Sequence, residues 1–270
     1  MDLIWKACLQ GIVQGITEFL PVSSTGHLII SGHFMEMGSG SFVTMFNVVI
    51  QLASILAVVI CFHNKLIPKA MLYDKTVRQN TLGIWFRTAV GVLPILGIGF
   101  LCKDLVEKLQ SSVPVVAISL FLGGIILLWV ERRRSGEVQY DRIDRIPMKK
   151  ALYIGLIQCI AMIPGVSRSG ATIVGALALG CSRTAAAEYS FFLAVPTMAA
   201  ASGYSLLKHG ANLASGEWAA LGVGFLVSFL VSWGVIAFLM RYIKTRTFEV
   251  FGYYRILLSA AVLVHYFFFR

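Results

Sequence analysis

The sequence predicts an all-α polytopic membrane protein with six transmembrane helices and two re-entrant helical hairpins in an inverted-topology repeat. Two observations predict the membrane setting: 57% of the 270 residues are hydrophobic, and only 13% are charged. Soluble domains carry about 25% charged residues, and a globule of this length would expose large apolar patches. The third observation is a pair of similar, broken apolar segments. Together these features exclude a disordered chain, a fibrous protein and an ordinary soluble enzyme.

Six apolar stretches are long enough to cross a bilayer, which takes about 20 residues. They lie at about residues 43–62, 84–101, 113–130, 187–207, 218–240 and 251–269. Two further apolar segments, residues 3–35 and 151–181, are interrupted by polar residues beside Pro21 and Pro164. Because proline interrupts a helix and serine favours the N-cap of a new one, we interpret each segment as a helical hairpin whose tip lies within the membrane.

Basic residues are concentrated on one side of this arrangement. The loops at residues 63–82, 131–150 and 241–250 hold most of the Lys and Arg residues and fall on the same side of the membrane. Such loops are typical of the cytoplasmic side, so we expect both termini outside. The formal charge of +10 then reflects topology, and we expect membrane lipids around the protein and no nucleic-acid partner. The sequence does not fix the oligomeric state, and it permits a homodimer.

The two broken segments resemble each other at an offset of 144 residues. Identical pairs under this offset are Gln14 with Gln158, Ile16 with Ile160, Val22 with Val166, Ser23 with Ser167 and Gly26 with Gly170. Three spans separate the hairpins, and because three is odd, the second hairpin enters from the opposite side. In inverted repeats of this kind, broken helices meet near the membrane midplane and form the site. We therefore divide the single domain into halves at about residues 1–130 and 151–270, joined by the basic cytoplasmic loop 131–150.

The second break has the composition of an anion site. Arg168 follows Ser167 and precedes Ser169, Gly170 and Thr172 at the start of a predicted helix. Helix N-terminal N–H groups, hydroxyls and a guanidinium all suit phosphate, so these residues are candidate substrate ligands. The segment lacks the Gly-Lys-Ser/Thr ending of a P-loop, so a nucleotide is not indicated. The alternative is a helix cap with an arginine that snorkels to the interface.

The first break adds a carboxylate, Glu18. A charge inside a bilayer costs about 2.5–3.5 kcal/mol on insertion scales, so its presence indicates a function. Gln14 lies one helical turn earlier and shares a face with Glu18. Carboxylate and amide oxygens could hold Mg²⁺ or Ca²⁺ together with phosphate oxygens, so we predict a divalent cation at Gln14 and Glu18.

Hydroxyls and an imidazole follow Glu18. Ser24 is the favoured nucleophile or water-positioning group, Ser23 and Thr25 are candidate substrate ligands, and His27 is expected to move the proton. Direct attack by water with His27 as the base, and attack by His27 itself, remain open. The combination of acid, hydroxyl, imidazole and guanidinium predicts phosphoryl transfer. A transporter would need the arginine but not a histidine beside hydroxyls, and a structural scaffold would need neither.

Three further charged residues lie beyond the breaks. Glu188 and Arg183 follow the second break. We expect Glu188 to support the site, by pairing with Arg183 or by facing the hairpin tips, and the alternative is a purely structural ion pair. Arg255 lies near a span end, and we expect its side chain to snorkel to the interface.

These segments are similar to the motifs of a known family. Residues 14–27, QGITEFLPVSSTGH, resemble the [E/Q]xxxE-FLPVSSTGH motif of the undecaprenyl-diphosphate phosphatases of the bacitracin-resistance type. Residues 164–172, PGVSRSGAT, resemble that family's PGxSRSxxT motif, and Ser182-Arg183 with residues 188–196, EYSFFLAVP, give a third match. The resemblance covers almost the whole chain. Gln14 stands where the family usually has an acid, which weakens a model with two carboxylates on the metal.

The resemblance implies a bacterial inner-membrane hydrolase whose active site opens toward the periplasm or the cell exterior. Its substrate would be undecaprenyl diphosphate, a polyprenyl diphosphate lipid. Removal of the terminal phosphate would give the monophosphate carrier used in cell-wall synthesis, with a consequence for bacitracin resistance. A polyprenyl-phosphate flippase or transporter is the alternative function.

Overall fold

The computed structural model describes residues 2–35, 40–102, 109, 112–134, 138–209 and 213–268. In chain order the α-helices of these residues are α1 (Asp2–Thr17), α2 (Ser24–Phe34), α3 (Ser41–Cys61), α4 (His63–Leu66), α5 (Lys75–Leu101), α6 (Val113–Arg132), α7 (Met148–Gln158), α8 (Arg168–Ala178), α9 (Arg183–His209), α10 (Ser215–Tyr242) and α11 (Glu249–Phe268). Short 3₁₀ turns lie at Lys69–Leu72, Ile143–Arg145 and Cys159–Met162. The protein is therefore helical, as predicted.

Six of the helices, α3, α5, α6, α9, α10 and α11, are long and apolar enough to cross a membrane. This finding confirms the six predicted spans. Two of them begin earlier than expected, α5 at Lys75 and α9 at Arg183. The start of α5 is fixed by Asp74, whose carboxylate accepts hydrogen bonds from the N–H groups of Thr76 and Val77 at 2.8 and 3.1 Å. Apolar content predicts the membrane-crossing part of a helix but does not predict its polar first turns.

Each broken segment forms a helix, a turn and a second helix. In the first, α1 ends at Thr17 and α2 begins at Ser24; in the second, α7 ends at Gln158 and α8 begins at Arg168 after a 3₁₀ turn. α1 contacts α2, and α7 contacts α8. The depth of each turn in a membrane, and the side from which it enters, stay predictions.

Each hairpin packs against a span of the other half. α1 lies along α10, and α7 lies along α5. Glycines permit the close approach of the helices in both pairs. A Cβ on Gly11 of α1 would lie 2.7 Å from the carbonyl oxygen of Gly224 in α10, and a Cβ on Gly155 of α7 would overlap the carbonyl oxygen of Gly91 in α5. α3 also contacts α9, and α6 contacts α11, across the halves. This exchange of partners brings the two turns toward each other in the interior.

Buried aromatic side chains surround the first turn. The rings of Phe19 and Phe191 meet edge to face with centroids 4.9 Å apart, and Phe62 packs against Phe191 and Phe192. Phe19 is fully buried. Because Phe19 directly follows Glu18, this packing fixes the backbone that carries the carboxylate.

Candidate active site

The two turns share an uncommon backbone conformation. Ser23 has a φ of 74° and Ser167 a φ of 73°, in a region that residues other than glycine seldom adopt. Each serine caps the helix that follows it: Ser23 Oγ accepts from the N–H of Gly26 at 3.3 Å, and Ser167 Oγ accepts from that of Gly170 at 3.0 Å. Ser23 corresponds to Ser167, and Gly26 to Gly170, under the offset of 144 residues. Backbone of this kind persists only when its surroundings hold it, and it is frequent at functional sites.

Both turns direct a side chain to the carboxylate of Glu18, which is 3% exposed. Its Oε2 accepts a hydrogen bond from Ser24 Oγ at 2.7 Å, and its Oε1 accepts one from Arg168 Nη2 at 2.7 Å. Ser24 and Arg168 are the first residues of α2 and α8 and are 144 positions apart. The structure thus brings three of the four predicted catalytic residues into direct contact, two from the first hairpin and one from the second.

Arg168 keeps a hydrogen-bond donor unused. Its Nη1 donates to the carbonyl oxygen of Ser190 at 2.8 Å, which fixes the guanidinium against α9. Its Nε is buried and has no partner among the residues that the structure describes. Leaving such a donor unpaired costs about 1–3 kcal/mol. A phosphate oxygen in the site would supply the missing acceptor.

The hydroxyls that follow Arg168 hold the second turn in position. Ser169 Oγ donates to the carbonyl oxygen of Leu20 in the first turn at 3.0 Å, and Thr172 Oγ1 donates to Ser190 Oγ at 2.7 Å. Both side chains are buried. Their hydroxyls therefore connect the second turn to the first turn and to α9.

His27 is hydrogen-bonded through both ring nitrogens. Nδ1 lies 2.7 Å from the carbonyl oxygen of Ser23, and because a carbonyl oxygen only accepts, Nδ1 carries the proton. Nε2 therefore accepts from the hydroxyl of Tyr254, also at 2.7 Å. The imidazole is thus directed toward α11, while Thr25 is exposed on the first turn of α2. Sequence reasoning missed Tyr254, because a tyrosine within an apolar span carries no signal of a specific partner.

The oxygen atoms around Glu18 fit a divalent cation that takes most of its ligands from the substrate and water. Gln14 Nε2 donates to Glu18 Oε2 at 2.7 Å, which leaves Gln14 Oε1 buried and without a partner in the described part of the chain. That part contains no group of three or more His, Cys, Asp and Glu that could hold a metal ion. Mg²⁺ usually binds through one or two carboxylates together with phosphate oxygens and waters. Glu18, Gln14 Oε1 and the Ser24 hydroxyl suit that mode of binding.

Arg255 does not snorkel to the interface, and that expectation was wrong. Its side chain is 1% exposed, and its guanidinium donates to backbone carbonyl oxygens of three separate segments. The acceptors are Pro21 in the first turn, Gly165 and Val166 in the second turn, and Ser119 and Leu120 in α6, at 3.0–3.3 Å. Turns leave carbonyls without helical partners, and a buried guanidinium satisfies several of them at once. Arg255 therefore ties the two turns together.

Of the alternatives for Glu188, the pairing with Arg183 was also wrong. Glu188 accepts from Lys65 Nζ at 2.5 Å, and Arg183 forms a two-pronged ion pair with Glu131, with Nη2 2.7 Å from Oε2. Arg183 and Glu188 lie five positions apart on α9, and helical neighbours are three or four positions apart. Glu131 also accepts from the N–H of Phe248 at 2.9 Å. Both ion pairs join separate helices.

Known proteins resemble this chain over almost its whole length. The family model of the bacitracin resistance protein BacA matches residues 7–261. Undecaprenyl-diphosphatase 1 of Clostridioides difficile (strain 630) is 48% identical over 265 residues, which cover 98% of this chain and 96% of that protein. The undecaprenyl-diphosphatases of Enterococcus faecalis and Limosilactobacillus fermentum are 45% and 42% identical, each over 97% of this chain and over 96% and 97% of their own lengths.

Proposed function

This chain belongs to the family of the bacitracin resistance protein BacA, and from that premise we propose that its site removes the terminal phosphate of undecaprenyl diphosphate. The protein is a multi-pass membrane hydrolase, an undecaprenyl-diphosphatase, that yields undecaprenyl phosphate and phosphate. Relatives of that name are 41–48% identical over nearly the full chain. The product is the lipid carrier that cell-wall synthesis reuses, and the family name connects this recycling with bacitracin resistance.

The observation that carries the proposal is the meeting of both turns at Glu18. A carboxylate that contacts a serine hydroxyl on one oxygen and a guanidinium on the other combines a proton acceptor, a nucleophile and an anion-binding group. Phosphoryl transfer depends mainly on positioning and on stabilising developing negative charge. The three groups supply both requirements within hydrogen-bond distance.

Arg168 binds the diphosphate through its unpaired Nε–H and its remaining Nη hydrogens. The first N–H groups of α2 and α8 add donors beside the same carboxylate. Among the sequence-predicted ligands, Thr25 is the exposed hydroxyl that can reach a phosphate directly. Ser169 and Thr172 act instead by holding the second turn, which carries Arg168, in position, because their hydroxyls are hydrogen-bonded to Leu20 and Ser190.

Ser24 attacks the terminal phosphorus while Glu18 accepts the Ser24 proton. The bond between that phosphorus and the bridging oxygen breaks, and undecaprenyl phosphate leaves with the proton that Glu18 returns. Water then hydrolyses the phosphoserine and releases phosphate. Glu18 is favoured over His27 as the base because Ser24 donates to Glu18, whereas the His27 nitrogens bond to Ser23 and Tyr254. Attack by water or by His27 predicts no phosphoserine.

A divalent cation, Mg²⁺ or Ca²⁺, would be held by Glu18 and Gln14. When bound, it would neutralise charge on the diphosphate oxygens and favour departure of the lipid phosphate. The support for this assignment is the buried, unpaired Oε1 of Gln14, whose amide Nε2 lies 2.7 Å from the Glu18 carboxylate.

We assign the enzyme to the bacterial inner membrane, with its site open toward the periplasm or the cell exterior. The basic loop 131–150 is then cytoplasmic, and the first hairpin enters from the opposite side. A cysteine introduced at Ser215, the first residue of α10, should react with an impermeant reagent added to intact cells, whereas one introduced at Met148 should not. A homodimer stays a prediction, which native mass spectrometry of the detergent complex checks.

The decisive experiment uses the full chain purified in detergent micelles, where transport between leaflets is impossible. We expect phosphate release from undecaprenyl diphosphate that stops with a chelator and returns with Mg²⁺ or Ca²⁺. No release by the wild-type protein with either cation would contradict the function and would favour a flippase. Acid quenching should yield a phosphorylated peptide containing Ser24. Release by Ser24→Ala at the wild-type rate would contradict the assignment of the nucleophile.

A further inference from the structure

Three serine hydroxyls form a polar cluster in the interior beside Gln14. They belong to Ser54 of α3 and to Ser228 and Ser232 of α10, and all three residues are fully buried. Ser54 lies at the centre, with its Oγ 3.2 Å from Ser228 Oγ and 2.8 Å from Ser232 Oγ. The same Oγ lies 3.5 Å from Nε2 of Gln14. The cluster therefore reaches the glutamine that contacts Glu18, although its members lie outside both turns.

The hydrogen bonds of the cluster determine which atoms donate. Ser228 donates its hydroxyl proton to the carbonyl oxygen of Ile50 at 3.0 Å, so it accepts from Ser54. Ser232 donates to Ser54. A hydroxyl has a single proton to donate and two lone pairs with which to accept. Because the proton of Ser54 goes to Ser228, Ser54 can only accept from Gln14, and the NH₂ end of the amide must face it.

The orientation of the Gln14 amide decides which atom meets Glu18. Nε2 carries two protons, and it donates to Oε2 of Glu18 at 2.7 Å as well as to Ser54. The same carboxylate oxygen accepts from Ser24. A reversed amide would place Oε1 against the carboxylate, and two acceptors with no proton between them repel each other. With Nε2 held between Ser54 and Glu18, Oε1 is the end that has no partner among the described residues.

The corresponding places in the second half carry no hydroxyl. The glycine contacts of α1 with α10 and of α7 with α5 set the correspondence between α10 and α5. Ser228 and Ser232 follow the contacting glycine of α10 by four and eight positions. At the same places after the contacting glycine of α5 are Ile95 and Gly99. Gln158, the counterpart of the first glutamine, is the buried amide without a partner in the described part of the protein. The serines thus occur in the half whose glutamine contacts a carboxylate.

We propose that Ser54 is a positioning residue that fixes the orientation of the Gln14 amide against Glu18. Ser228 and Ser232 fix the hydroxyl of Ser54 in turn. The consequence for catalysis rests on the proposed function, in which Glu18 is the base, whereas the orientation of the amide does not. Ser54 touches no reacting atom and acts through Gln14.

The side-chain amide resonances of glutamine test the orientation directly. The chain has seven glutamines, so protein labelled with nitrogen-15 glutamine in detergent micelles gives few such signals, and Gln14→Leu assigns those of Gln14. Hydrogen bonding moves a proton resonance downfield, so both Nε2 protons of Gln14 should lie downfield in the wild type. Ser54→Ala should move at least one of them upfield. Unchanged Gln14 resonances in Ser54→Ala would overturn the proposal. A wild-type spectrum with one Nε2 proton not hydrogen-bonded would also overturn it, and that result needs no variant to fold.

Ser202→Ala is the matched control for the loss of a buried hydroxyl. Ser202 of α9 is also fully buried and also bonds to α3, but its hydroxyl donates to the carbonyl oxygen of Val48 at 2.8 Å and lies outside the cluster. Ser202→Ala should therefore leave both Gln14 resonances in place. Equal shifts in Ser202→Ala and Ser54→Ala would show a general loosening of the helices and would overturn the proposal.

Phosphate release separates positioning from a structural role. Ser54→Ala should lower kcat about fivefold, the equivalent of one neutral hydrogen bond, and Ser202→Ala should leave it within about twofold. In a Gln14→Leu background, Ser54→Ala should cause no further loss, because residues that act through one contact are not additive. A further loss of the same size in that background would overturn the proposal. Absence of phosphate release by the wild-type protein contradicts the proposed function instead, and the Gln14 resonances, measured without substrate, still test the orientation.

Discussion

The two turns of this protein have the same backbone and different chemistry. Each contains a serine with positive φ that caps the next helix. At the following position, however, the first turn has Ser24 and the second has Arg168, and under the same offset Glu18 corresponds to Met162. The first turn thus supplies a carboxylate and a hydroxyl, and the second turn supplies a guanidinium. Two turns with the same backbone can form an asymmetric site when the side chains beside the caps differ.

The two paired glutamines repeat this contrast. Gln14 donates to Glu18, which lies one helical turn later. Gln158 has Met162 at the corresponding place, and neither polar atom of its buried amide has a partner within the described ranges. The same residue is therefore part of a polar network in one half and an unsatisfied group in the other.

The largest expected effect comes from removing the guanidinium of Arg168 in the second turn. Arg168→Ala should lower phosphate release about 10³-fold, because one donor to a developing anion is worth about 10²–10³ in rate and Arg168 also neutralises the buried Glu18. Arg168→Lys should recover only part of this loss, because lysine keeps the charge but not the planar fork. The measurement is phosphate release in detergent.

A double variant separates chemistry from folding in that experiment. Arg168→Ala alone leaves a buried carboxylate unpaired, at a cost of about 3–5 kcal/mol. Glu18→Gln with Arg168→Ala removes both charges, so we expect it to melt closer to the wild type and to remain inactive. A folded variant without Arg168 that released phosphate at nearly the wild-type rate would refute the division of roles between the turns.

The next prediction tests whether the positions of the two turns depend on their hydrogen bonds to Arg255. Arg255→Met should lower the free energy of unfolding by about 3 kcal/mol, since the carbonyls of both turns lose a buried donor. Phosphate release should fall about 10- to 100-fold, because small displacements of reacting groups cost about 10²-fold. Arg241→Met, at an exposed site on α10, is the control and should change neither melting temperature nor rate. Unchanged stability of Arg255→Met would show that the turns are fixed by other contacts.

A smaller effect is expected for the histidine of the first turn. His27→Ala should lower phosphate release about tenfold, below the range of about 10²–10⁴-fold that is typical of proton-transfer groups, because in the proposed mechanism the base is Glu18, which contacts Ser24. Tyr254→Phe should lower it a few-fold, the equivalent of one hydrogen bond of about 1 kcal/mol. Tyr253→Phe is the neighbouring control and should have no effect. A loss of about 10³-fold or more for His27→Ala would return the role of base to His27.

The smallest effect concerns the unsatisfied glutamine. Gln158→Leu should raise the free energy of unfolding by about 1 kcal/mol and leave phosphate release unchanged, because it removes buried polar atoms that lack partners. Gln14→Leu is the matched change in the first half and should lower activity, since it removes a donor to Glu18. Thermal melting and phosphate release measure both variants. Lost activity in Gln158→Leu would show that the second glutamine also serves the site.

The sequence predicts those parts of the site whose signal is local. Polar residues beside a proline within an apolar segment identify both turns, and this pattern is sufficient to select Glu18, Ser24 and Arg168. The hydrogen bonds from Arg255 to the two turns could not be predicted, because the acceptors are backbone carbonyl groups, which every residue carries, and they lie 89–234 positions away. The partner of Glu188 was missed for the same reason, since Lys65 is 123 positions away. Composition identifies a buried charge, but only the fold identifies what it contacts.

The close packing of α1 on α10 has a consequence for biosynthesis. α1 is translated before α10, which begins at Ser215. Until most of the chain has been translated, Gly11 lacks the Gly224 backbone against which it packs. The first hairpin, with its buried carboxylate, is therefore made before the span against which it packs. A ribosome stalled before residue 215 would leave a chain in which Glu18 is present but the α10 backbone behind α1 is not.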